Sequence, residues 1–75
     1  MTNFEAIMIA EGAQEPKDRE QYLAAWQLLV NTGLAWSLQG FFGRQAESMI
    51  ACGDILSKED WEYEEKFKDP MNYIT

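Results

Sequence analysis

Histidine is absent from this 75-residue chain, and cysteine occurs once. The first absence excludes any mechanism that needs an imidazole, and the two together exclude a disulfide framework or a zinc-finger ligand set within one chain. Basic residues are scarce too, six against thirteen acids, for a net charge of −7. Most of the surface therefore repels nucleic acid phosphate and anionic membrane, and a basic partner suits it better. No apolar run reaches the roughly 18 residues of a membrane span. The opening turn, with Glu5 and no early Lys or Arg, does not read as a signal peptide. These exclusions lead us to expect a cytoplasmic protein that is not an enzyme and carries no cofactor and no metal.

What is present is ordinary globular material: 47% hydrophobic, 13% aromatic and 25% charged residues, too apolar for a disordered acidic tail. The length fits one domain spanning 1–75. A chain this short buries only about 60% of its unfolded surface, so a homo-oligomer or a partner is an open route to stability. Charge is unevenly spread. Residues 1–20 hold five acids and two bases and residues 57–75 six acids and three bases, but Arg44, Glu47 and Asp54 are the only charges between 21 and 56. That middle also carries Trp26, Trp36, Phe41 and Phe42 and is read as core or interface. The domain divides into a core over 4–56 and an acidic C-terminal helix over 57–69.

Apolar spacing predicts helices throughout. Thr2 or Asn3 can cap a first short helix with Phe4, Ile7 and Met8 on one face and Gly12 as its stop. After Pro16 a second helix is expected from near Lys17, with Asp18 and Glu20 on its N-terminal dipole and Tyr22, Leu23, Trp26, Leu29 and Val30 along one face. Gly33 is either a left-handed stop or an interior glycine chosen for close packing. The echo between Leu29-Val30-Asn31-Thr32-Gly33-Leu34 and Met49-Ile50-Ala51-Cys52-Gly53-Asp54-Ile55 favours a stop at both glycines. A short segment, Leu34 to Gln39, and a third main helix from Phe42 to Cys52 follow, the latter with Phe42, Ala46, Met49 and Ile50 inward and Cys52 a small buried hydrophobe. Ser57-Lys58-Glu59-Asp60 has the spacing of a capping box, with Trp61, Tyr63 and Phe67 as a weaker stripe before Pro70. With no alternating strand pattern, the expected fold is all-α, three to four short helices around Trp26 and Trp36.

The most distinctive stretch is Thr32-Gly33-Leu34-Ala35-Trp36, then Leu38-Gln39-Gly40, Phe41-Phe42, Gly43-Arg44, Met49-Ile50 and Gly53. It resembles a family of small proteins of tailed bacteriophages, particularly those infecting actinobacteria. The likeness extends weakly upstream to Phe4-Glu5-Ala6-Ile7 and Glu11-Gly12 and covers roughly 4–53, whereas the acidic tail departs from shorter members of that family. No activity comes with the resemblance. It implies a phage origin and an accessory role, among genes whose products often bind a host protein.

Three site readings follow. Trp36, Phe41, Phe42 and Arg44 could form a protein contact surface, since Trp and Arg are enriched where binding energy concentrates. Gly43 and Arg44 could hold an anion at a helix start. The simpler alternative is a tight Gly-Phe-Phe-Gly connection in which Arg44 caps a carbonyl or pairs with Glu47. Glu59, Asp60, Glu62, Glu64 and Glu65 form an acidic surface that could imitate nucleic acid and occupy a DNA- or RNA-binding protein, although interspersed Lys58, Lys66 and Lys68 also suit a merely solvated helix with i, i+4 pairs. A helix-turn-helix is disfavoured by the charge, so no direct nucleic acid binding is expected. The leading expectation is a helical accessory protein that binds and modulates a host protein. The alternatives are an acidic mimic or a small-ligand-binding oligomer.

Overall fold

The computed structural model describes residues 1–68, with side chains as far as Glu65. Five helices follow one another among these residues: α1 (Asn3–Ala10), α2 (Arg19–Thr32), α3 (Leu34–Ser37), α4 (Gly40–Cys52) and α5 (Lys58–Lys68). The fold is all-α, as the spacing of apolar residues predicts. Asp69 and Pro70, with which the sequence reading closes the acidic helix, lie outside the described residues.

Each start has an identifiable cause. Thr2 caps α1, its hydroxyl accepting from the Glu5 N–H at 3.1 Å. Asp18 is itself the cap of α2, its carboxylate accepting from the Gln21 N–H at 2.8 Å, so that helix begins at Arg19 and not near Lys17. The Lys17 N–H instead donates to the Gln21 side chain at 2.6 Å, which holds Lys17 in the approach to the helix. Ser57 accepts from the Asp60 N–H at 3.2 Å, the forward half of the expected capping box.

The expected stops at Gly33 and Gly53 are present, both left-handed, at φ +80° and +84°. Their hydrogen bonds differ despite the echo in sequence. At Gly53 both bonds of a full Schellman cap form, Gly53 N–H to Ile50 O at 3.1 Å and Asp54 N–H to Met49 O at 2.9 Å. That cap turns Ile55 back into the core. Gly33 makes only the first bond, to Val30 O at 3.1 Å, because Leu34 already opens α3.

The core gathers around Trp26, Leu29 and Val30 of α2, with Ala6 and Ile9 from α1, Ala35 from α3, and Phe42, Ala46 and Met49 from α4. The rings of Trp26 and Phe42 stand 5.9 Å apart, tying α4 to α2. Four sequence expectations are corrected here. In α1 the fully buried residues are Ala6 and Ile9, with Ile7 and Ala10 packed partly beside them; Phe4 is 71% exposed and lies off that face. Trp36 is not a core partner of Trp26 but sits 48% exposed. Cys52 is exposed, because at about 100° per residue it leaves α4 some 80° away from Phe42. Finally, Gly40 to Arg44 is no tight connection but the first turn of α4, with neither glycine at positive φ. Buried Phe42 anchors that turn, and the chain's direction changes one step earlier, at extended Leu38 and Gln39.

The last helix is held through a side chain. Gln27, 8% exposed, donates from Nε2 to Leu56 O and accepts at Oε1 from Leu56 N–H, both at 2.8 Å. Its Nε2 also reaches Asn31 Oδ1 at 3.0 Å. One amide side chain thus pairs with one backbone residue as a neighbouring strand would, satisfying both polar groups of Leu56 where the chain leaves α4 for α5. Arg19 adds an exposed ion pair to Asp54 at 3.2 Å on the same segment, worth little by itself.

Gln27→Ala should destabilise the protein by about 2 kcal/mol, two hydrogen bonds lost with their partners left behind. In a chain this size that lowers Tm by roughly 10 °C. Gln27→Glu should lose about as much at neutral pH, because a carboxylate faces the Leu56 carbonyl with no proton to offer. Thermal melting followed by circular dichroism measures both; a Gln27→Glu variant that melts with the wild type would show that the pairing carries no weight.

Candidate functional site

A helix that begins at Gly40 brings Gly40, Gly43, Arg44 and Glu47 onto one face, at i, i+3, i+4 and i+7. Against that face lies Trp36 from α3. Its indole packs directly over Gly43: a Cβ at that position would stand 3.3 Å from Trp36 Cδ1 and 3.7 Å from its Nε1. The glycine is there for close approach, since any larger residue would have to push the indole away. Arg44 runs back toward the helix start, as helical side chains do, with Nη1 3.1 Å from where a Gly40 Cβ would be. Together with Leu38, Gln39 and Glu47 these groups line an open pocket of about 240 Å³.

The sequence-derived contact residues separate in the structure. Trp36 and Arg44 meet in this pocket, both exposed. Phe42 is 4% exposed and belongs to the core, so it is unavailable to a partner. Phe41 stacks on Phe42 at 4.0 Å between centroids and remains exposed, but it leaves α4 about 100° round from Gly40 and does not line the pocket. Arg44 makes neither of the bonds the simpler reading assigns it: no carbonyl accepts from it, and it forms no ion pair with Glu47. It is the sole base between residues 21 and 56 of a chain with net charge −7, and among the described residues its guanidinium is unpaired.

The anion reading also moves. Gly43 is the fourth residue of α4, beyond the turn whose N–H groups lack helical partners, and Trp36 covers it. The Gln39 side chain makes no capping bond and the Phe42 N–H is taken by the Gln39 carbonyl, so within α4 the backbone N–H groups that could meet an anion beside the Arg44 guanidinium are those of Gly40 and Phe41. From sequence Gly40 was read as part of a tight connection and Glu47 as a partner for Arg44, and Gln39 was given no role in a site. Gly40 stands four residues before Arg44, a helical spacing that is visible only once the helix is started two residues before Phe42.

On α5 the residues Glu59, Asp60, Glu62, Glu64 and Glu65 are all exposed. The i, i+4 pairs expected with Lys66 and Lys68 rest on side chains outside the described set, as does Phe67. Of the weaker stripe, Trp61 is half-buried and faces α2, whereas Tyr63 is 64% exposed. Among the described residues no three His, Cys, Asp or Glu side chains are grouped to hold a metal, and no helix is long and apolar enough to cross a membrane.

Residues 4–68 match a domain of unknown function, DUF7417, and the chain belongs to that family. No curated protein and no solved structure matches it.

The two glycines under the pocket should respond oppositely to alanine. Gly40→Ala meets only the movable end of Arg44 and should hold or raise stability, by at most about 1 kcal/mol from helix propensity. Gly43→Ala displaces the Trp36 indole and should alter the near-ultraviolet circular dichroism of tryptophan while helicity persists. Equal, silent behaviour of both variants would mean the indole is not seated on Gly43.

Proposed function

We propose that this member of the DUF7417 family acts by binding another protein, with Trp36 and Arg44 as its principal contacts and Phe41 beside them. The unpaired Arg44 next to an indole seated over Gly43 is the observation that carries this reading. An exposed tryptophan held against the backbone loses little freedom on association, and Trp and Arg are the side chains most often found where binding energy concentrates. The guanidinium calls for a carboxylate from the partner, which it can grip through two parallel N–H groups. The resemblance of the central motif to small tailed-phage proteins supports a phage accessory product whose target is a host protein in the cytoplasm of the infected cell. No chemical step is required.

A second reading, an acidic mimic acting on a DNA- or RNA-binding protein, is favoured by the five exposed carboxylates of α5. Two variants separate the readings. Arg44→Glu should abolish capture of the partner from host lysate while leaving helicity and melting unchanged; loss of fold would make Arg44 structural. Deletion of 57–75 keeps Leu56 and its pairing with Gln27 and should retain the partner. Loss on deletion, with capture surviving Arg44→Glu, would instead identify the mimic.

A further inference from the structure

A second cavity lies apart from the Trp36 pocket, between α2 and the start of α5. It is an open pocket of about 440 Å³, within the size range of pockets that take small organic ligands. Its apolar walls come from Leu23, Leu28, Ile55 and Trp61, its charged lining side chains are two carboxylates, Glu20 and Asp54, and Met1, which bears the α-ammonium, also lines it. No Lys or Arg lines it among the described residues. We propose that this cavity binds an organic ammonium or guanidinium group carried on an apolar stem.

Three observations support that ligand class. The carboxylates sit with apolar walls that can cover a hydrocarbon stem, so cation and stem are recognised together. The site already attracts a cation from its own chain: Arg19 reaches over to Asp54 at 3.2 Å, with the two side chains 72% and 40% exposed, an exchangeable surface pair. Among the described residues the Glu20 carboxylate has no hydrogen bond or ion pair and is left to meet an incoming charge. Gln27, which also lines the cavity, is held in place by its pairing with Leu56. The same chemistry is offered by a free aliphatic amine and by a lysine or arginine of a protein partner.

Three six-carbon probes that differ only in the head group test this on the full chain by ligand-observed and amide-shift NMR: hexylammonium, hexanol and hexanoate. Hexylammonium should bind at least about tenfold more tightly than hexanoate, because the two carboxylates accept charge-assisted hydrogen bonds from the ammonium and repel the acid. Glu20→Gln should weaken it several-fold. Ala24→Phe, at an exposed position in the cavity wall, should block it with helicity intact. A short acetylated Leu-Leu-Lys-Leu amide distinguishes the sources: tighter binding than hexylammonium at the same residues assigns the site to a partner's lysine, and weaker binding assigns it to a small amine. Equal affinity for all three probes, no binding of any, or hexylammonium binding that survives both substitutions would overturn the proposal.

Discussion

One side-chain amide fastens the link between α4 and α5 onto α2. Gln27 stands in the middle of α2, the helix that packs against α1, α3 and α5, and it pairs with both backbone groups of Leu56, twenty-nine residues away. The Gly53 cap sends the chain back toward α2, and the Gln27 amide receives it there. Ile55 enters the core, Leu56 is held, Ser57 caps the next helix, and Trp61 is brought against α2. A small core cannot supply much stability by area alone, which gives such a directed polar contact unusual weight. The exposed Arg19–Asp54 pair lies on the same link and adds little by itself.

The other organising constraint is space at Gly43. Trp36 stands half-exposed at the surface, and the structure seats it there by leaving Gly43 beneath it without a side chain. The same turn of α4 buries Phe42 against Trp26 and presents Arg44 outward. Fold and surface are therefore made by alternate residues of one segment. This accounts for the density of Gly, aromatic and Arg residues between 40 and 44, where a simple connection would need far less.

The all-α class, the cap at Ser57 and the glycine stops were legible in the sequence because each rests on local chemistry: apolar spacing, a hydroxyl three residues before an N–H, a residue that tolerates positive φ. The start of α4 was not. Gly-Phe-Phe-Gly reads as a loop by propensity, and only burial of Phe42 beside Trp26 makes it helical, a tertiary effect overriding a local one. From that displaced start came the failure to place Gly40 on one face with Gly43, Arg44 and Glu47. Trp36 and Cys52 were misplaced for a related reason, since residue type predicts average burial but not which side of a short helix meets the core. The Gln27–Leu56 pairing leaves no trace in sequence spacing at all.

The account depends most on Trp36 and Arg44 being where a partner sits. A photoreactive residue placed at Gln39, exposed and lining their pocket, with a control at Glu59 on α5, tests this directly in host cells producing the protein. Cross-linking from position 39 to one host protein, with none from position 59, is the result expected. An adduct from position 59 alone would contradict the account and move the site of action to the acidic helix.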